Sequence, residues 1–249
     1  MISLDYLAMP PFSINTVFFD SAGTLVEVPP YSRIWHRIMG DLGLDMSLHR
    51  VEVGVRYADL TYGKRYFSYA GRTREYWTSY LGFLLAKLKV EGNQSELAEE
   101  MCERFQQHPW SSPYPETKRV LRALKRRGFK LGVISNATDD VTDRLEHVGL
   151  AKYFDSFTYS QEAKAEKPHP RIFRLALERA GCKPIEAVHA GDSYDQDVLG
   201  AKKVGMQPIL VDRREKTHTN DCPSISSLQG IEKLIRLLRE DQDESPRTE

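Results

Sequence analysis

Hydrophobic and polar positions change their period twice along this chain. At 15–19 the run Asn-Thr-Val-Phe-Phe is rich in β-branched and aromatic residues and predicts a strand ending at Asp20. Pro29 and Pro30 then read as a turn that leaves the sheet. From 31 to 108 apolar residues recur only at helical spacing, which predicts helices over 31–44, 47–66, 74–90 and 94–107, broken at Gly71 and at Glu91-Gly92-Asn93. Beyond Pro113 and Pro115 helix and strand alternate. The predicted elements are a helix at 116–127 closed by Gly128, a strand at 130–135, and a helix at 139–147 capped at Thr138 and closed by Gly149. A short strand at 154–159, a helix at 170–180, a strand at 187–191, a helix at 196–204, a strand at 207–211 and a last helix after Gln229 complete the pattern. Such alternation implies an α/β core with a parallel sheet and helices on both faces. The predicted organisation is a core from 14–28 and 109–240, a helical insert over 29–108, and a disordered polar tail at 241–249.

Composition narrows the function classes. Lys and Arg (35) cancel Asp and Glu (35) over 249 residues, so the chain as a whole carries no electrostatic signature for nucleic acid or an anionic membrane. The basic stretch Lys118, Arg119, Arg122, Lys125, Arg126 and Arg127 falls on the solvated face and last turn of a helix, where cations complement the dipole. Cys102, Cys182 and Cys222 have neither metal-ligand spacing nor a disulfide framework, which favours a reducing compartment. Residues 1–13 carry no basic n-region, and no segment approaches the ~20 apolar residues of a membrane span. The expectation is a soluble cytoplasmic protein, monomer or weak dimer, with a small-molecule substrate and no nucleic-acid or membrane partner.

Polar residues end four of the predicted core segments, and a parallel sheet would bring them to one edge. They are Asp20, Ser135 with Asn136, the Lys167-Pro168 loop, and Asp192 followed by Asp197. A carboxylate nucleophile, a hydroxyl, a cation and a second carboxylate suit phosphoryl transfer: one acid attacks, while Lys and Ser hold phosphoryl oxygens. Asp20 and Asp192 together could hold Mg²⁺, which takes a couple of carboxylates besides phosphate and water. His189, inside a strand, reads as a core histidine, and Asp195 as a turn former.

The ordered set Asp20-Ser-Ala-Gly-Thr24, Val-Ile-Ser135-Asn136, Glu-Lys167-Pro-His-Pro and Gly191-Asp192-Ser193-x-x-x-Asp197-x-x-Gly200-Ala201 resembles the haloacid dehalogenase-like hydrolase superfamily. The resemblance spans roughly 14–240 and implies a Rossmann-like core with a helical cap inserted after the first strand. It implies Asp20 as the nucleophile of an aspartyl intermediate, with Thr24 supporting its loop and contacting substrate. Ser135, Asn136 and Lys167 would bind the phosphoryl group, and Lys167 would also steady Asp20. Mg²⁺ would be held by Asp20, Asp192 and the backbone carbonyl of Ala22, with Asp197 behind them.

Ala22 departs from the phosphatase pattern, which has a second Asp there to protonate the leaving group. General acid help of that kind is typically worth ~10²–10⁴-fold. Its absence leaves several readings open: a phosphohydrolase restricted to good leaving groups, a metal-free haloacid dehalogenase, a phosphonoacetaldehyde-type C–P hydrolase using Lys64 as a Schiff base, or a phosphate-sensing protein with little turnover. In the insert, Tyr62, Lys64, Arg65, Tyr66, Arg72, Arg74, Tyr76 and Trp77 form a pool for substrate contact, but Trp35, Tyr76, Trp77 and Tyr80 recur at helical spacing and read first as packing.

Overall fold

The computed structural model describes residues 14–69, 72–108, 110–137, 140–215 and 220–244. In chain order, β1 (Thr16–Phe19) and β2 (Val26–Glu27) are followed by α1 (Tyr31–Asp41), α2 (Leu48–Tyr62), α3 (Thr73–Lys87) and α4 (Gln94–Gln107). Then come β3 (Ser112–Pro113), α5 (Thr117–Arg126), β4 (Lys130–Ser135), α6 (Asp140–His147), β5 (Ser156–Tyr159), α7 (Ser160–Ala163) and α8 (Pro170–Ala180). The chain ends through β6 (Ala187–Gly191), α9 (Leu199–Lys202), β7 (Gln207–Val211), β8 (Ser224–Ile225) and α10 (Ile231–Glu244). Two compact units result, one spanning Val28–Ser112 and the other made of the chain up to Glu27 and from Pro113 onward.

The discontinuous unit is built on a six-stranded sheet in the order β5-β4-β1-β6-β7-β8, every neighbour pair parallel. Central β1 is buried along its whole length, as a strand covered on both faces must be. Phe18, Ile134, Ile172, Phe173, Ala176 and Leu177 belong to one packed cluster that seats α8 against the sheet. Register decides the chemistry. Phe19 stands level with Val133 of β4 and Ala190 of β6, so Asp20, Ser135 and Asp192 all emerge at the same C-terminal edge. The N–H of Asp20 still donates to the Ala190 carbonyl at 2.9 Å, which holds that residue to the end of the ladder.

The Val28–Ser112 unit is helical. Ser47 caps α2 by accepting from the Arg50 N–H, and Asn93 caps α4 by accepting from the Glu96 N–H. Trp35, Trp77 and Phe105 form its aromatic centre, with ring centroids 4.8 to 5.6 Å apart. Tyr76 and Tyr80 lie in the same core, and the Tyr80 hydroxyl donates to Asp59 at 2.8 Å. The aromatic residues at helical spacing therefore serve packing.

Three segments differ from the sequence-based expectation. The second helix ends at Tyr62 and continues as a 3-10 run over Gly63–Tyr69, the change falling at Gly63, a poor helix former. The segment expected as a helix from 196 opens instead as a π-turn, Tyr194–Val198, with the amides of Asp197 and Val198 both donating to the Ser193 carbonyl. The last helix runs to Glu244, past the expected start of a disordered tail at Asp241, since no Gly or Pro interrupts 241–244. Thr138 and the side chain of Lys64 lie outside the described residues, as do 245–249. Among the described residues no helix is long and apolar enough to cross a membrane.

Trp35 is fully buried, whereas Leu60 is 75 % exposed on the neighbouring helix. Trp35→Ala is expected to destabilise the helical unit by about 3–5 kcal/mol and Leu60→Ala by less than about 0.5 kcal/mol. Urea unfolding of the two variants checks the contrast.

Candidate active site

Lys167 reaches the sheet edge from the loop before α8 and is buried, its side chain 1 % exposed. Its Nζ donates to Asp20 Oδ1 at 2.6 Å and to Asp197 Oδ1 at 2.7 Å. Asp197 has two further partners: His189 Nε2 lies 2.9 Å from the same oxygen, and the Ser193 N–H donates to Oδ2 at 3.0 Å. The π-turn makes this possible, because the wider turn swings Asp197 back over the end of β6. Gly191 is required beneath it, since a Cβ there would stand 2.1 Å from the Asp197 Cγ.

Asp20 opens a tight loop. Gly23 N–H donates to the Val26 carbonyl at 2.8 Å, and the amides of Leu25 and Val26 return to the Ser21 carbonyl. Gly23 has φ +86°, and a Cβ on it would meet Asp192 Oδ2 at 2.2 Å. Two demands thus fix glycine here: a left-handed backbone, and the approach of the second carboxylate.

Electrostatics follow from crowding acids around one cation. Burial pushes the Asp20 carboxyl up from 3.8 to about 6, opposed by Lys167 and reinforced by Asp197 and Asp192. Asp192 is raised by burial and by Asp197. Burial also acts upward on Asp197, yet Lys167 and His189 outweigh it and hold that carboxyl well below the usual range. Lys167 is pulled down by burial, but its two carboxylates more than compensate and it stays protonated.

Asp20, Asp192 and Asp197 can present oxygens within 4.8 Å of one another. Asp197 is already committed to Lys167, His189 and the Ser193 amide, which leaves Asp20 and Asp192 as the pair free to share a cation. Two acids with raised proton affinity beside a sterically required glycine fit a hard divalent ion such as Mg²⁺.

The structure brings Asp20, Lys167, Asp192 and Asp197 together, with Ser135 buried at the end of the adjacent strand. Two residues expected to contact substrate have partners within the chain. The Asn136 amide is spent on the chain itself: Oδ1 accepts from the Lys167 N–H at 2.7 Å, and Nδ2 donates to the Lys167 carbonyl and to Gln196. Asn136 therefore braces the lysine loop. Thr24 is fully buried, its carbonyl held by the Arg213 guanidinium at 2.7 Å, so it belongs to the foundation of the loop. His189 is a core residue as expected from its strand, and its bond to Asp197 is an addition that linear spacing does not reveal. Ser193, rather than an aspartate, caps the turn by accepting from the Gln196 N–H.

A sequence model of the haloacid dehalogenase-like hydrolases matches residues 14–205. The chain belongs to this family. Glyceraldehyde 3-phosphate phosphatase of Methanothermobacter thermautotrophicus is 44 % identical over 100 residues, covering 40 % of this chain and 44 % of that protein. The match thus spans less than half the length of this relative. Among solved structures, a HAD phosphatase from Thermococcus onnurineus superposes with a TM-score of 0.63 at 27 % identity, over 89 % of this chain and 97 % of the other. A 2-haloacid dehalogenase from Pseudomonas syringae pv. Tomato does so with a TM-score of 0.63 at 26 % identity, over 90 % and 99 %. The family holds both chemistries on one fold, so the choice between them rests on the site.

Because the folded-state pKa of Asp20 is raised, the protein without metal gains stability from its proton below about pH 4 and loses it as the pH rises through about 6. A cation on Asp20 and Asp192 must displace that proton. Mg²⁺ affinity, followed by thermal shift, is expected to fall about tenfold per pH unit below pH 6. Equal affinity at pH 5 and 7.5 would contradict the arrangement.

Proposed function

We propose that the chain is a Mg²⁺-dependent phosphohydrolase acting on a small phosphorylated metabolite through an aspartyl-phosphate at Asp20. The observation that carries this reading is the pairing of Asp20 with Asp192 beside a lysine already neutralised by Asp197. Lys167 binds Asp20 at Oδ1 and orients the carboxylate, leaving the other oxygen for phosphorus. That oxygen forms a bond to phosphorus as the bond to the leaving oxygen breaks. Lys167 and the Ser135 hydroxyl serve the phosphoryl oxygens during the transfer. Water then attacks the phosphorus, returning Asp20 to its carboxylate and releasing inorganic phosphate. A divalent cation on Asp20, Asp192 and the Ala22 carbonyl supplies charge neutralisation when bound.

Ala22 has no proton to give, so the leaving oxygen departs as an anion unless another donor serves it. This restricts efficient turnover to acyl or aryl phosphates. The same pair of acids weighs against a haloacid dehalogenase, since without a cation Asp192 raises the proton affinity of the nucleophile and gives nothing in return.

The test assays wild type, Asp20→Asn and Ala22→Asp with Mg²⁺ on acetyl phosphate, an aryl phosphate and an alkyl phosphate. Asp20→Asn is expected to abolish turnover on all three. Ala22→Asp is expected to raise alkyl phosphate turnover by about 10²-fold, with a smaller gain on acetyl phosphate. A wild type that binds a trifluoroberyllate mimic but turns over none of the three would replace the enzyme reading with a phosphate sensor.

A further inference from the structure

Arg213, just beyond β7, lies outside every motif that marks the site, yet its guanidinium ends on the nucleophile loop. Nε donates to the Gly23 carbonyl at 3.1 Å, Nη2 donates to the Thr24 carbonyl at 2.7 Å, and Nη1 donates to Glu116 Oε1 at 2.8 Å. The Arg213 guanidinium carbon stands 3.4 Å from the centroid of the Tyr114 ring, so one face of the cation is covered as well. Arg213 is 14 % exposed and Glu116 7 %.

Glu116 is in turn held by the Ser227 hydroxyl at 3.0 Å and the Leu228 N–H at 3.4 Å, and Arg213 keeps its carboxyl below the ordinary range against the upward push of burial. The neighbouring Leu25 carbonyl accepts from the Tyr114 N–H at 3.2 Å and the Thr117 hydroxyl at 2.9 Å. Three consecutive carbonyls, Gly23 to Leu25, are therefore tied to one buried framework. On its opposite side the same loop meets Asp192, which stands where a Gly23 Cβ would be.

We infer that Arg213, fixed by Glu116 and Tyr114, is the positioning residue that holds the Asp20–Thr24 loop in register with Asp192. The inference rests on the proposed Mg²⁺ site, because its consequence is the placement of the Ala22 carbonyl beside the two carboxylates. Only a planar fork can take two adjacent carbonyls and a carboxylate together. A lysine offers a point charge without the fork, and a methionine offers only the stem. Freed of the fork, the loop keeps its short internal hydrogen bonds but loses its fixed orientation toward Asp192.

The experiment compares full-length wild type, Arg213→Met, Arg213→Lys and, as a control, Arg179→Met, whose guanidinium pairs with Glu162 away from this loop. Three readouts are taken well below each melting temperature. Amide exchange over residues 21–27, measured without metal, is expected to quicken by about tenfold in Arg213→Met while β4 and β6 keep their protection. Mg²⁺ Kd by calorimetry is expected to rise by about tenfold or more. With an aryl phosphate, kcat should fall while KM stays within about threefold, Arg213→Lys lying between Met and wild type. Arg179→Met should match wild type in all three readouts. Unchanged loop exchange and Mg²⁺ affinity in Arg213→Met, even with a lower melting temperature, would overturn the inference and reduce Arg213 to a stability residue. If wild type turns over no phosphate but Arg213→Met still loses Mg²⁺ affinity and loop protection, the phosphohydrolase reading fails and the positioning role stands. A wild type that binds no Mg²⁺ overturns both.

Discussion

An ammonium group removed from water has to be surrounded by acceptors before anything can be packed around it. Lys167 meets that demand with Asp20 from the end of β1 and Asp197 from the turn after β6, while Asn136 from the end of β4 grips its backbone on both sides. One residue thereby ties three strand ends to the loop before α8, two through its ammonium and the third through its backbone. Other features follow from it. Gly191 must lack a side chain because the Asp197 carboxylate lies over it, and the π-turn exists where an ordinary helical turn would point that carboxylate differently. His189 is drawn in as the remaining partner of Asp197, its ring edge-on to Phe173 at 5.3 Å in the core beneath.

The same lysine sets the charge balance of the site. Three carboxylates and one ammonium leave a negative surplus, and burial turns that surplus into raised proton affinity at Asp20 and Asp192. A phosphate approaching such a site would be repelled. A divalent cation shared by the two acids, as proposed, would bring the balance near neutrality and allow a phosphoryl group to bind. A carbon-centred substrate losing halide needs no such correction, so a second acid beside the nucleophile would be a cost without a function. The charge count thus supports phosphoryl chemistry more directly than the shape of the fold, which the family uses for both reactions.

Much of this was legible in the linear sequence because each piece is a local event. β1, β4, β6 and β7 announce themselves as short runs of buried residues ending in Asp20, Ser135, Asp192 and a turn, and parallel pairing carries those ends to one edge. The helical insert was legible from its period and from the break at Glu91-Gly92-Asn93. What the sequence hid is what depends on contacts far apart in the chain. Asn136 reads as a substrate contact beside Ser135, but Lys167, 31 residues later, consumes its amide. Arg213 reads as one cation in a polar run after a strand, and only the fold delivers it to carbonyls 189 and 190 residues earlier. The π-turn has no compositional mark, and its effect, the Lys167–Asp197 pair, joins residues 30 positions apart.

Ala22 acquires its meaning from how completely its neighbours are committed. A missing general acid could be replaced by a nearby group with a labile proton, and Lys167 is the nearest cation to Asp20. Its proton is held by carboxylates at 2.6 and 2.7 Å, which makes it less acidic than a free lysine. Asp197 is held ionised and has none to give. The Ser21 hydroxyl is buried and far too weak an acid. Lys167 and Asp197 therefore orient and neutralise without donating, and Ser21 is no substitute for the missing acid. On the proposed phosphohydrolase reading, that moves the burden of catalysis onto the substrate, whose leaving oxygen would have to be stable as an anion at the moment it departs, a condition met by an acyl or aryl phosphate and failed by an alkyl one.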